Sequence, residues 1–226
     1  MTKTSRNAFA LAVFLTAAAQ AQVWIEPRDS DAGRTVPTAQ VPIGIGDLVG
    51  IQGVLDGGAD SGVLDYEDLF AIQVTDPLSF SATTITLGGG ADVDTNLWLF
   101  APSGNGLLGN LDFPGGGPFS RLLPIADDGS FALTAPGLYY IGVSGGSANR
   151  PTSGANQIFH FLTPLELSGP DGPGGAGVLS NWTGGGEIGA YFIQLTGVSY
   201  VPSPGIAPIF GFALISAQRR RRSTRA

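Results

Sequence analysis

Between residues 47 and 200, the apolar residues occur in short stretches that glycine or proline interrupts about every ten residues. The stretch SFSATTITL alternates with a period of two, so that Phe80, Ala82 and Thr84 lie on one side and Ser81 and Thr83 on the other. This is the period of a strand with one buried face. The sequence therefore predicts an all-β, antiparallel β-sandwich of roughly seven to nine strands.

Two stretches do not show this pattern. Residues 148–156 and the glycine- and proline-rich stretch that begins at Ser168 are predicted to be long surface loops. Trp182 is expected to hold the second loop against the core.

Composition narrows the chemistry that is open to the chain. The absence of cysteine excludes disulfides, thiolate metal sites and a cysteine nucleophile. The part of the chain between its two basic ends, which we call the body, contains eighteen acidic residues and only four arginines. Its net charge is therefore about −14. Such a surface repels nucleic acid and anionic lipid and attracts divalent cations. We therefore expect no nucleic-acid partner.

The first 21 residues have the organisation of a secretory signal peptide. Lys3 and Arg6 precede an apolar run, and Ala19-Gln20-Ala21 forms a small-x-small cleavage site. Cleavage there would make Gln22 the new N-terminus. The sequence thus predicts delivery to the export machinery.

The C-terminal end combines a proline motif, a short apolar run and a block of arginines. The run Ile206–Ala217 reaches only about 18 Å as a helix, against a hydrocarbon core of about 30 Å. These three parts resemble the sorting signals called PEP-CTERM, in the Pro-x-Pro-Gly variant of planctomycete type. The resemblance implies transient membrane insertion, a sorting protease of the exosortase type, and release or attachment at the cell surface; a simple membrane anchor is the alternative. The residues that carry it are Val201, Pro202, Pro204, Gly205, Arg219, Arg220, Arg221 and Arg222.

Three motifs in the body occur in the order found in another family. They are DYEDLFAIQV from Asp65, ADVDTNLWLFAPSGN from Ala91 and APGLYYIGVSG from Ala135. Together they resemble the bacterial pre-peptidase C-terminal (PPC) domain. The resemblance implies a jelly-roll-like accessory module, often joined to secreted hydrolases, that sometimes binds calcium or an extracellular polymer.

The predicted organisation therefore has four parts. Residues 1–21 are the signal peptide, 22–46 an N-terminal extension, 47–200 the PPC-like sandwich, and 201–226 the sorting tail with its short apolar helix.

Catalytic chemistry finds little support in the sequence. A Ser-His-Asp triad would have to use His160, the only histidine, which Phe159 and Phe161 place on the opposite, solvated face of a strand. One histidine is too few nitrogen ligands for a hydrolytic zinc site. Most aspartates lie beside glycine, as in turns. We therefore expect that the protein is not an enzyme.

A calcium site is the most reasonable hypothesis for the acidic residues, since hard cations prefer several oxygen ligands in irregular loops. Solvated turns are the alternative. Trp24, Trp98 and Trp182 could form a platform for sugar rings, or could fill the core and hold loops. The predicted calcium ligands are Asp65, Glu67, Asp68, Asp92 and Asp94.

These observations favour an exported, non-enzymatic β-sandwich with a structural or adhesive role at the cell surface or in an extracellular matrix, where polysaccharide is a possible partner. The alternative is a calcium- or carbohydrate-binding accessory module for secreted hydrolases. A hydrolase with an unrecognised carboxylate site is the third hypothesis.

Overall fold

The computed structural model describes residues 21–27, 30–56, 66–85, 93–146 and 148–202. Their regular structure consists of strands and one 3₁₀ turn, Val36–Thr38, which confirms the all-β prediction. Eight of the fourteen described strands have four or more residues, within the predicted range. The strands are β1 (Gln22–Ile25), β2 (Leu48–Leu55), β3 (Glu67–Val74), β4 (Ser81–Thr84), β5 (Thr95–Phe100), β6 (Gly106–Asn110), β7 (Arg121–Leu122), β8 (Gly137–Gly145), β9 (Pro151–Ser153), β10 (Asn156–Gln157), β11 (Leu167–Ser168), β12 (Asn181–Trp182), β13 (Gly189–Thr196) and β14 (Val198–Ser199).

Two sheets form the sandwich. The five-stranded sheet has the order β1-β2-β13-β4-β7, and the six-stranded sheet has the order β11-β6-β5-β8-β3-β14. Neighbouring strands are antiparallel except β1, which runs parallel to β2. The main core lies between the sheets, where Ile51 and Ile193 of one meet Phe70 and Leu97 of the other.

The six-stranded sheet is covered on both faces. On β5, Leu97 and Leu99 belong to the main core, whereas Trp98 and Phe100 belong to a second cluster on the other face. All six residues of β5 are buried as a result. A strand that is covered on both sides has no polar face, which is why β5 shows a continuous apolar run rather than alternation.

The second cluster is covered by residues 148–182 apart from β11, which belongs to the six-stranded sheet. We call these residues the outer layer; they include the predicted loop at 148–156 and most of the stretch that begins at Ser168. β9, β10 and β12 within it form a three-stranded sheet. The prediction of a long loop at 148–156 was therefore wrong, since β9 lies within this stretch and β10 begins at Asn156. Trp182 does hold the second stretch, since it is buried and its Nε1 donates a hydrogen bond to the Arg34 carbonyl over 2.7 Å.

The segment predicted as an N-terminal extension pairs with both sheets. β1 lies beside β2, and Trp24 packs against the main core with its ring 5.6 Å from that of Phe70. Further along, Gln40 forms a parallel bridge with Phe70, and the Leu69 amide donates to the Gly33 carbonyl over 3.0 Å. These contacts bring Trp24 and residues 33–40 against the start of β3.

Some of the residues that carry the sequence predictions lie outside the described residues. Within the described part of the two ends, Ala21 and Gln22 are exposed and β1 begins at Gln22, whereas Val201 is half-buried and Pro202 exposed. None of the described helices is long and apolar enough to cross a membrane. The predicted residues that lie outside the described ranges are Ala19, Asp65, Asp92, Pro204, Gly205 and Arg219–Arg222.

Candidate cation site

Adjacent acidic residues at the start of β3 face opposite sides of the six-stranded sheet. Glu67 points away from the main core, where its Oε1 lies 2.7 Å from Arg34 Nη2 and its Oε2 accepts a hydrogen bond from Asn149 Nδ2 over 2.6 Å. Asp68 points into the main core, where the Tyr191 hydroxyl donates to its Oδ2 over 2.6 Å. Because consecutive side chains alternate across a strand, these two carboxylates do not share an ion. The structure therefore does not bring these two predicted calcium ligands together.

Glu67 is held in an ion pair rather than in an open site. Its side chain is 2% exposed, and this burial raises the pKa of its carboxyl. The hydrogen bond from Asn149 and the charge of Arg34 lower the pKa, and the negative charge of Asp31 raises it. The effect of burial on the pKa is larger than the opposing effects of Asn149 and Arg34. The ionised carboxylate is therefore less stable here than in water, despite these two partners.

Asp68 belongs to a group of three carboxylates. One oxygen from each of Glu26, Asp31 and Asp68 lies within 4.8 Å of the other two. Asp68 is fully buried, Glu26 half-buried and Asp31 exposed, so the group opens from the end of the sandwich core toward solvent. We call these residues the three-carboxylate group.

The fold brings the three together from separate segments. Glu26 follows β1 and faces inward like Trp24, because its amide continues the pairing with β2 by donating to the Gln52 carbonyl over 2.9 Å. Asp31 lies in the segment that runs beside β3. Gly53 leaves the necessary space, since a Cβ there would overlap the Tyr191 hydroxyl and lie 2.6 Å from Glu26 Oε2.

Asp94, another predicted ligand, lies with different acidic residues. Glu187 Oε2 accepts a hydrogen bond from the Asp94 amide over 2.9 Å. Burial, followed by the charges of Asp112 and Glu187, raises the pKa of Asp94 to about 6. A raised folded-state pKa means that ionised Asp94 opposes folding above about pH 6 and that this opposition fades as the pH falls toward the unfolded pKa of 3.8.

The other candidate residues have structural roles. His160 is exposed, and its backbone amide and carbonyl are the groups that bond to Asp171 and Ser168. Trp98 and Trp182 are buried with their ring centroids 6.2 Å apart. These two rings therefore do not form a surface on which sugars could stack.

Of the three predicted ligands that the structure describes, Glu67, Asp68 and Asp94, Asp68 alone is in the three-carboxylate group. Sequence reasoning missed Glu26 and Asp31, which stand close together in IEPRDSD. The signal that could have identified them is the position of this acidic segment directly after QVWI, a short apolar stretch with the length of an edge strand.

Chemically, the three-carboxylate group suits a hard divalent cation. Calcium takes about six to eight oxygen ligands, and three carboxylates with the neighbouring hydroxyl and water could supply them. No protein-family model matches the chain, and a comparison with curated proteins found no matching relative. The class that the fold and the site define is therefore an acidic β-sandwich with a carboxylate group at the end of its core.

Proposed function

We propose that the protein is an exported, non-enzymatic β-sandwich with a structural or adhesive role at the cell surface or in an extracellular matrix, sorted by its C-terminal tail. The proposal rests on this observation: the buried carboxylates hold separate segments of the fold together and are not exposed in an open catalytic site. Glu67 connects Arg34 to Asn149, and Asp68 receives the Tyr191 hydroxyl. An acidic surface and sequence signals at both ends support the same role.

The proposal predicts two processing events. Protein purified from its native host should begin at Gln22, end near Pro202, and be found in the envelope or the medium. Intact-mass measurement on separated cell fractions checks this prediction. Any excess mass would identify an attached group.

Arginine substitutions in the tail test the sorting step, and one arginine substitution in the body is their control. Changing Arg219–Arg222 to glutamine should leave the tail uncut, because the positive block sets the orientation of the apolar run. Arg121→Gln in the body should leave processing unchanged. A wild-type protein that keeps all four tail arginines and sediments with the inner membrane would overturn the proposed sorting.

The three-carboxylate group supports a second candidate function, a calcium-binding accessory module. After chelation, adding calcium at about a hundred times its Kd should stabilise the fold by about 2.7 kcal/mol and raise Tm by roughly 5 to 10 °C. Asp31→Asn should remove most of this rise, because the exposed Asp31 contributes charge to the site without holding the core. Calorimetry with and without calcium measures the effect.

A matched control separates this site from general charge effects. Asp128 is exposed and accepts a hydrogen bond from the Ser130 amide over 2.9 Å, which asparagine can also accept. Asp128→Asn should therefore keep the full calcium response. Equal responses in wild type and Asp31→Asn, or no response in the chelated wild type, would refute the site.

A further inference from the structure

The five-stranded sheet has one face toward the main core and the other toward solvent. We define the outer face as the side chains of β1, β2, β13 and β4 that point away from the core, with Ile85 and Ile188 just beyond the strands. Its exposed apolar members include Ile25 at 64%, Ile188 at 55% and Val54 at 51%. On the six-stranded sheet, by contrast, the outer layer covers the corresponding face.

Strand register makes the outer face continuous. Ile25 and Phe192 both pair with Gln52 from opposite sides, and Val54 pairs with Ala190. The Phe192 ring lies against Gly50, where no Cβ would fit, so this aromatic side chain is flattened onto the sheet. The result is a broad, low-relief surface of apolar and amide side chains.

The strands of the outer face carry no charged residue, although the molecule is strongly acidic. The four strands QVWI, LVGIQGVL, GAYFIQLT and SATT contain no charged residue. All eighteen acidic residues therefore lie outside these strands. The charged residues that flank these strands along the chain are Glu26 after β1 and Asp47 and Asp56 on either side of β2, and Asp56 has the same parity as Val54.

We propose that the outer face is a self-association surface whose partner is a second copy of this chain. Two copies with a net negative body repel each other over most of their surfaces, and the face whose strands carry no charge is where that repulsion is smallest. An anionic lipid or nucleic acid would meet the same repulsion and would gain no basic contact. A two-fold axis along the row Ile25, Gln52 and Phe192 would let each of these residues meet its own copy, and residues off the axis would contact each other reciprocally, as in a symmetric dimer.

The size of the outer face sets the expected strength. Four strands spaced about 4.8 Å apart, with about six residues each at 3.3 Å, give roughly 400 Å² per copy before side-chain relief is counted. Two copies would then bury roughly 800 Å², which is below the limit of about 1,000 Å² for stable specific interfaces and fits a weak, transient contact. We expect a reversible dimer with a Kd on the order of 10 to 100 µM.

Sedimentation equilibrium on the protein as the cell delivers it tests the proposal. The wild type should show a concentration-dependent mass that rises toward a dimer. Ile25→Glu and Val54→Glu should each raise Kd by at least about tenfold, since each places two like charges in one interface. Higher salt should strengthen wild-type association, because it screens repulsion between the acidic bodies.

Leu162→Glu is the matched control, since it adds the same charge at an exposed leucine in the outer layer, across the six-stranded sheet. It should leave Kd within about twofold of the wild type. A wild type that stays monomeric at about 300 µM overturns the proposal. Association that survives both face substitutions, or that Leu162→Glu weakens equally, also overturns it. Circular dichroism confirms that each variant folds, and the result does not depend on where the protein is delivered.

Discussion

Replacing Arg34 with alanine is expected to reduce the free energy of unfolding by about 2 to 3 kcal/mol at about pH 7. Glu67 is 2% exposed, and its Oε1 would lose the guanidinium that lies 2.7 Å away. The loss of one partner of a fully buried pair typically costs about 3 to 5 kcal/mol. We expect a smaller loss because the Arg34 side chain is 41% exposed and solvent already screens part of its charge.

The pH dependence of this loss distinguishes a charge effect from a packing effect. Burial raises the folded-state pKa of Glu67 above 4.5, so stability from this group falls as the pH rises through the interval between the unfolded and folded values. Without Arg34 the folded-state pKa rises further, and the penalty at neutral pH becomes larger. At about pH 4 Glu67 is mostly protonated in both proteins, so the difference between them should fall below about half of its neutral value.

Chemical denaturation of four proteins at both pH values tests this account. The double variant R34A/E67Q should recover most of the stability lost in R34A, because it buries no unpaired charge. Arg121→Ala is the control: Arg121 lies 4.7 Å from the Phe113 ring centroid, and its loss should cost about 1 kcal/mol or less. Equal losses at both pH values, without rescue by E67Q, would assign the role of Arg34 to packing alone.

The sequence contains enough information for the long strands, because each buries a regular set of side chains. On β4, Ala82 and Thr84 are buried and Ser81 and Thr83 are half-buried, as the alternation predicts. β9, β10 and β12 were not predicted, because strands of two or three residues are too short to show a period-two pattern of burial. The pairing of β12 with β9 joins residues about 30 positions apart, such as Thr152 and Asn181, and depends on the cluster that these strands cover.

The candidate site was predictable only in part, for a similar reason. Side chains alternate along any strand, so a strand at DYEDLFAIQV already requires Glu67 and Asp68 to face opposite ways, and their separation was available from the sequence. The convergence of Glu26 and Asp31 on Asp68 was not available, since it depends on the parallel pairing of β1 with β2 and on the path of residues 30–40 beside β3. Long-range pairing of this kind leaves no periodic signal in the segment.

Replacing Trp98 with alanine should cost more stability than replacing Arg34 or Trp24, about 3 to 5 kcal/mol. Trp98 is fully buried at the centre of the second cluster, with its ring 5.4 Å from Phe159 and 6.0 Å from Phe161. Its Nε1 donates a hydrogen bond to Ser144 Oγ over 3.0 Å. The loss corresponds to a decrease in Tm of roughly 6 to 20 °C for a chain of this size.

Two other tryptophan variants calibrate this loss. Trp98→Phe keeps an aromatic ring but not the indole donor, and should cost about half as much. Trp24→Ala removes a half-buried ring from the edge strand β1 and should cost about 1 to 2 kcal/mol. Thermal unfolding of the three variants checks this order, and a Trp24→Ala loss as large as that of Trp98→Ala would contradict it.

The loss at Trp98 should be concentrated in the outer layer rather than spread evenly. β9 has three residues and β10 and β12 have two each, so their ladders alone cannot hold the layer. Contacts of Phe159, Phe161 and Trp182 with Trp98 attach it to the six-stranded sheet. Hydrogen exchange in Trp98→Ala should therefore accelerate first in residues 151–182, while β2 and β13 keep their protection until global unfolding. Uniform acceleration across both sheets would instead mean that the second cluster and the main core unfold as one unit.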